Sequence, residues 1–365
     1  MEPSLFLEIV EKYFPKLVTS YTETLNGENQ VPPYYHLRFL RNEYSITGKF
    51  EALTNYNQRI AADVISLDSP IPLKRRPSVA SVPGEIPKIA TKRHLNETQL
   101  TQLQLLMGRQ EDNLPEIRRI LFEDVPKVID GQFEKRELLF LQGFSSGLIV
   151  ADNTNNVGTG IRIDFGYLPQ NQFTATVAWG GAGYTPLSDL ARVAESAGNN
   201  GYPITRFLMR RAQFNQIAAS DEAKSLVYPL AAIGSTAGLF APNADQLNAA
   251  LETQWGFQLE IIERNVMVEI NGVQQSINPW AAGQVIGINN ESVGALVWAK
   301  VAEMDFPVGG VSYQRAGQGG NILVKKYRQV EPALSESTAS ESRSLPVIGN
   351  VNQIFKLDTT QGSAT

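Results

Sequence analysis

Residues 67–93, LDSPIPLKRRPSVASVPGEIPKIATKR, decide how the rest of this chain is read. Pro70, Pro72, Pro77, Pro83 and Pro87 rule out a helix, because each lacks an N–H and restricts the residue before it. No aromatic residue is present to found a core. Yet Ile71, Leu73, Val79, Val82, Ile86 and Ile89 are too apolar for a plain solvated linker. The stretch is also too long for a loop with no structure of its own. The pattern predicts an extended arm or β-ribbon, reaching roughly 40 Å if folded back as a hairpin at strand rise. Such an arm has little to pack on within its own domain, and a neighbouring subunit would supply the missing surface. Its one basic cluster is Lys74-Arg75-Arg76. The cluster reads either as a solvated turn at the arm tip or as an ion-pairing contact with acids on an adjacent subunit. Nucleic-acid binding ranks third, because no aromatic interleaves the basic residues.

Upstream of the arm, Phe6, Ile9, Val10, Tyr13, Phe14 and Leu17 recur at helical spacing, with Ser4 as a cap and Pro15 limiting the last turn. This helix packs either on the chain's own core or on a neighbour. Short apolar segments up to about Ser66 read as strands. Downstream, Asn96 and Gln99 form a predicted capping box for a helix running to Gly108. The strongest helical stripe follows, from Pro115 to Ser145, through Ile117, Ile120, Leu121, Val125, Val128, Ile129, Phe133, Phe140 and Phe144. Pro126 inside it predicts a kink or break near Phe122, whose carbonyl would meet the proline ring. Gly147 is placed to close the helix.

Beyond 157 the pattern turns to strands mixed with helices. Strands are expected at Ile161–Phe165, Phe173–Trp179, Ile204–Met209, Phe257–Ile262, Val266–Ile270, Val273–Ile277, Gln284–Ile288 and Ala295–Ala302. Asn271-Gly272 is a tight hairpin turn that needs positive φ. Helices are expected from Pro186, over Ala212–Val227 and over Asn243–Gln254. Ser335–Ser344, SESTASESRS, reads as a soft exposed loop, and Leu345–Leu357 as a closing strand. No βαβ rhythm appears, so the class is α+β.

Composition sets outer bounds. The 365 residues can bury one large core or two moderate ones. Charged residues make up 19%, below the usual share of about 25%, which suits large protein–protein contacts whose cores exclude charge. A net charge of −5 gives no basic excess for nucleic acid. The absence of cysteine excludes disulfide and thiol chemistry. The N-terminus lacks the basic and apolar regions of a signal peptide, and no run of about 18 apolar residues suggests a membrane span.

Chemical motifs are sparse. Gly143-Phe-Ser145-Ser-Gly147 matches the G-x-S-x-G nucleophile elbow, but that motif needs a preceding strand and a histidine later in the chain. Here a helix precedes Ser145, and both histidines, His36 and His94, lie upstream. A serine hydrolase at Ser145 is therefore a remote alternative. No phosphate-binding loop occurs, and Gly317-Gln-Gly319-Gly320 has the wrong spacing. Two distant histidines and no cysteine cannot build a transition-metal site. Asp152, Asp164 and Glu195 are acids that could pair in space, and the sequons at Asn96 and Asn290 read as chance. No catalytic, metal or cofactor-binding residue is assigned, and no enzyme activity is expected.

The order of parts resembles the major capsid protein of tailed bacteriophages, in the lambda-type E family with its Hong Kong-type fold. LPEIRRILFEDVPKVIDGQFEKRELLFLQGFSSGLI (114–149) is similar to that family's spine helix. IRIDFGYLPQNQFTATVAWGG (161–181) resembles its following strand pair. ITRFLMRRAQFNQIAASDEAK (204–224) and WGFQLEIIERNVMVEINGVQQSINPWAAGQVIGI (255–288) resemble axial-domain elements, and LPVIGNVNQIFKLDT (345–359) the closing strand of the peripheral domain. The resemblance spans about Tyr56 to Asp358, and Pro126 departs from it.

The resemblance implies an N-terminal arm at 1–60, an extended loop at 61–95, a peripheral domain with the spine helix at 96–185, an axial domain at 186–300 and a return to the peripheral domain at 301–365. It implies a shell subunit that self-assembles as hexamers and pentamers into an icosahedral phage head. Expected partners are the chain itself, a scaffold, a portal, decoration proteins and packaged double-stranded DNA held without specific recognition, with no membrane and no cofactor. The expected location is the virion capsid, after synthesis in the bacterial host cytoplasm. A nanocompartment shell, encapsulin-like, shares the fold and is the nearest alternative.

Overall fold

The computed structural model describes residues 1–26, 34–54, 80–108, 113–152, 155–156, 160–229, 240–331 and 333–362. Helix α1 (Leu7–Asn26) buries Val10, Phe14, Val18 and Leu25. It is longer than expected, because Pro15 lies inside it and does not end it. An interior proline costs about 3 kcal/mol, whereas each large apolar side chain buried recovers roughly 1.5–3 kcal/mol. The stripe continuing past Pro15 therefore outweighs the break. Next come α2 (Tyr35–Phe39), β1 (Leu40–Tyr44), β2 (Lys49–Thr54), β3 (Ala80–Glu85) and β4 (Lys88–Leu95).

The capping box forms at the start of α3 (Glu97–Met107), with Gln99 N donating to Asn96 Oδ1 and Asn96 N to Gln99 Oε1, both at 3.0 Å. The long stripe divides into α4 (Leu114–Phe122) and α5 (Asp124–Ser146). The break falls next to Phe122, where the proline ring would otherwise strike a carbonyl. Pro126 then occupies the first turn of α5, where a missing N–H loses no helical bond. Gly147, at φ 83°, ends α5 in the left-handed region.

The remaining elements are β5 (Leu148–Ala151), β6 (Ile161–Asp164), β7 (Gln172–Ala175), α6 (Pro186–Asn199), β8 (Arg206–Met209), α7 (Arg211–Ala219), α8 (Asp221–Val227), α9 (Ala244–Trp255), β9 (Gln258–Ile261), β10 (Val266–Ile270), β11 (Val273–Ile277), β12 (Gln284–Ile288), β13 (Gly294–Ala299), β14 (Ser312–Ala316), β15 (Ile322–Gln329), β16 (Ser335–Ile348) and β17 (Ile354–Gly362). The strand expected up to Trp179 stops at Ala175, because Thr176 turns to hydrogen-bond Asp189.

The chain divides into two compact units. The first comprises Met1–Phe50, Pro83–Phe140 and Gly294–Val347. Its six-stranded sheet runs β1-β13-β16-β15-β14, with β4 also paired to β16. Strand β1 runs parallel to β13, whereas β14 with β15, β15 with β16 and β16 with β4 are antiparallel. Of the two readings open for the first helix, packing on its own core is the one found. Val10, Phe14 and Val18 share a cluster with Leu103 of α3, Ile120 of α4, Val125, Ile129 and Phe133 of α5, and Ile322 and Val324 of β15.

The serine-rich segment overturns its sequence reading. Residues 335–344 are not an exposed loop but most of the longest strand, buried almost throughout. The small side chains of Ser340, Ser342 and Ser344 lie against α5, and their hydroxyls find partners there. Ser340 Oγ donates to Val128 O at 2.6 Å and accepts from Gln132 Nε2 at 3.0 Å. Ser342 Oγ donates to Gln132 Oε1 at 2.8 Å, and Arg136 Nε donates to Ser344 Oγ at 3.0 Å. Ser340, Ser342 and Ser344 thus place a polar layer against α5 where a hydrophobic one would be expected, each of these three hydroxyls being hydrogen-bonded. The predicted closing strand also splits. Asn350, at φ 52°, turns the chain between β16 and β17.

The second unit comprises Glu51–Val82, Leu141–Val293 and Ile348–Thr365. Its five-stranded sheet runs β7-β17-β12-β8-β9. Leu187, Leu190 and Val193 of α6, Phe214 and Ile217 of α7, and Leu247 and Leu251 of α9 close over Phe207, Leu259, Val285 and Phe355 of the strands. The stripes of these three helices supply the apolar face that covers one side of the sheet.

Candidate assembly surfaces

Besides β5 with β6, two further pairs of strands form two-stranded sheets in their own right. The first is β2 with β3, of which β3 lies within the predicted arm and β2 upstream of it. Phe50 is buried there, and a side chain on Gly84 would lie 2.5 Å from the Phe50 ring, so the two strands meet at an aromatic–glycine contact. The tip cluster Lys74, Arg75 and Arg76 lies outside the described residues.

The last part of the predicted arm is not left for a neighbour. Strand β4 pairs antiparallel with β16 of the same unit, from Lys88 opposite Arg343 to Leu95 opposite Glu336. The sequence reading missed this because the partner edge belongs to the serine-rich segment read as a loop. Charges lock the pairing. Lys88 Nζ meets Glu341 Oε2 at 2.6 Å, and Lys325 Nζ meets Glu341 Oε1 at 2.7 Å and Glu303 Oε1 at 2.6 Å. Burial opposes the charge on Glu341, but hydrogen bonds from Lys325 and Lys88 outweigh it and hold the carboxyl below the usual carboxylate range. For Lys325, burial is likewise outweighed by its bonds to Glu303 and Glu341, which raise its pKa.

The second two-stranded sheet is the hairpin β10–β11. Asn271 (φ 53°) and Gly272 (φ 78°) form its turn with positive φ at both central residues, as the dipeptide predicts. Met267 and Val273 are exposed on it. Elsewhere Ile46, Phe240 and Phe306 are 88%, 87% and 79% exposed. Sequence reasoning did not single them out. The available signal was a lone large apolar residue set in a loop of small, glycine or proline residues, as in Asp305-Phe306-Pro307-Val308-Gly309.

The catalytic alternative fails on geometry. Ser145 is fully buried inside α5. Its Oγ donates to Leu141 O and accepts from Ala281 N, both at 2.8 Å, so the hydroxyl is a structural link and no strand-to-helix elbow exists. His36 is buried against Glu137, with Nδ1 2.6 Å from Oε2, and Glu137 also accepts from the backbone N–H groups of Tyr35 and His36. Glu137 is thereby a fastener for the turn into α2. Asn96 caps a helix, and Asn290 Oδ1 accepts from Ser292 N at 3.1 Å. Among the described residues no group of three or more His, Cys, Asp and Glu side chains is placed to hold a metal ion, and no helix is long and apolar enough to cross a membrane.

No family model and no curated protein sequence matches this chain. Solved structures do. A prophage protein of E. coli CFT073, whose name assigns it to the capsid, superposes with a TM-score of 0.56 at 11% identity, covering 94% of this chain and 98% of its own. A phage-related protein from Bordetella bronchiseptica RB50 superposes with a TM-score of 0.50 at 11% identity, covering 95% and 98%. With so little sequence in common and nearly the whole of each chain matched, what is shared is the architecture: the chain has the α+β fold of a phage capsid protein of the Hong Kong type.

Proposed function

We propose that this chain is a major capsid protein, a non-enzymatic subunit that assembles with copies of itself into the icosahedral shell of a phage head. The observation that carries the reading is the match in fold to the prophage capsid protein over 94% of this chain and 98% of that one. The two-stranded sheets β2–β3 and β10–β11 support it, since their strand edges are surfaces that a second copy would cover. Repeated heterologous contacts about an axis close into rings, here hexamers and pentamers. In this reading 61–95 is the extended loop, 96–185 the peripheral domain and 186–300 the axial domain. Lys74, Arg75 and Arg76 ion-pair with acids of the adjacent subunit. Scaffold, portal and decoration proteins and unspecifically held double-stranded DNA are its partners, the host cytoplasm its place of synthesis and the virion its destination.

The test is expression of the full chain, followed by sedimentation and electron microscopy. Capsomers or closed shells are expected. A monomer that persists under all conditions of salt, pH and concentration overturns the proposal. Among the described residues no surface feature favours the nanocompartment reading over this one.

A further inference from the structure

The two feet of the ribbon β2–β3, Gly48 and Ile86, touch through their backbones. Ile86 N donates to Gly48 O at 3.0 Å. Arg343, from β16, reaches both points. Its Nη2 donates to Gly48 O at 3.3 Å and its Nε to Ile86 O at 3.5 Å. The fit at Gly48 leaves no space. The residue sits at φ +69°, and a Cβ there would lie 2.7 Å from Arg343 Nη2 and 2.9 Å from Nη1. Any other residue would be strained in its backbone and would also push into the guanidinium.

Around this point the chain is held firmly. Ile86 and Phe50 are 2% and 3% exposed. Lys88, two residues past Ile86, is ion-paired to Glu341, two residues before Arg343. Among the described residues Arg343 itself has no carboxylate within 4.0 Å. A permanently charged, planar fork is thus directed at two main-chain carbonyls rather than at an anion. Two donors on one rigid plane fix the relative position of two acceptors in a way that a lone ammonium cannot.

We infer that Arg343 and Gly48 form the mount of the ribbon, and that Arg343 is a positioning residue for it: the guanidinium holds the two feet of β2–β3 in register. The mount stands on geometry alone; only its consequence for assembly rests on the capsid reading.

Hydrogen exchange of the full chain tests it, with the Ile86 amide as the probe. In R343A this amide is expected to exchange roughly tenfold faster or more, the equivalent of one charge-assisted hydrogen bond, while amides of α5 and β15 keep their protection. R343K retains the charge without the fork and recovers only part of the loss. G48A leaves β16 unaltered and is expected to loosen Ile86 by itself. The double variant G48A/R343A is expected to be no looser than the worse single, because the two residues act as a unit. Unchanged exchange at Ile86 in R343A overturns the mount. So does equal acceleration across β15 in R343A together with a silent G48A, since Arg343 would then be a general support of the sheet. If wild-type protein assembles, R343A is expected to give fewer regular particles. A wild type that never assembles defeats the proposed function but leaves the exchange result to decide the mount.

Discussion

Replacing Ser340 tests whether the close approach of α5 to β16 holds the first unit together. Ser340 is fully buried, donates to Val128 O and accepts from Gln132 Nε2. Helix and sheet are in tight contact nearby, since a Cβ on Gly131 would meet Thr91 Cγ2 at 3.3 Å. Ser340→Ala removes hydrogen bonds alone. Gln132 Nε2 keeps Ser340 O at 3.2 Å and Ile89 O at 3.3 Å, so the cost is about 1 kcal/mol. Ser340→Leu loses the same bonds and forces a branched side chain into a filled gap, adding about 1–3 kcal/mol of overpacking. The total is roughly 2–4 kcal/mol, or about 30- to 1,000-fold in local opening. Exchange of the Val128–Arg136 amides in unassembled protein reads this directly. About fivefold acceleration is expected for alanine and at least thirtyfold for leucine. A leucine variant no looser than the alanine variant would refute the reasoning, because the gap would then have room to spare.

Lys326 is buried, donates to Leu121 O and Thr338 Oγ1 at 3.0 Å each, and is pushed down by burial to about 8. Between that value and the ordinary 10.5 the unfolded chain binds more protons, so wild-type stability rises with pH across the window, by up to roughly 3 kcal/mol. Lys326→Met lacks this rise, and a difference between the two proteins that stays constant from pH 7 to 10 contradicts the assignment. Ser145→Ala is expected to lower stability by about 1–2 kcal/mol in urea titration, through loss of the bond from Ala281 N, with assembly unaffected; lost assembly in a folded variant would give Ser145 another role. Charge reversal of Lys74, Arg75 and Arg76 is expected to weaken assembly more at low than at high salt. Light scattering that shows no change at either salt concentration would leave that cluster a solvated turn.

Much of the fold was legible because it is written in local geometry. The Asn96 capping box, the break ahead of Pro126, the glycine end of α5 and the Asn271-Gly272 turn each follow from which torsions a residue can adopt. The same logic failed at Pro15, where tertiary burial on both sides of the proline outweighed a local penalty. The hairpin β10–β11 was foreseen as a hairpin, but the exposure of Met267 and Val273 on it was not. Exposure depends on what lies beside an element, and periodicity within the element does not record that.

The segment SESTASESRS marks the boundary most clearly. Torsional preference and apolar spacing determined where helices begin, break and turn, and the sequence by itself sufficed for those. Only the tertiary structure decided that this segment, polar at every position but Ala339, forms the middle of a sheet. The hydroxyl of Ser340 is satisfied by Val128 and Gln132, which lie 212 and 208 positions away along the chain. A buried polar group is stable only when its partner is in place, and partners so distant in sequence meet only once the chain has folded.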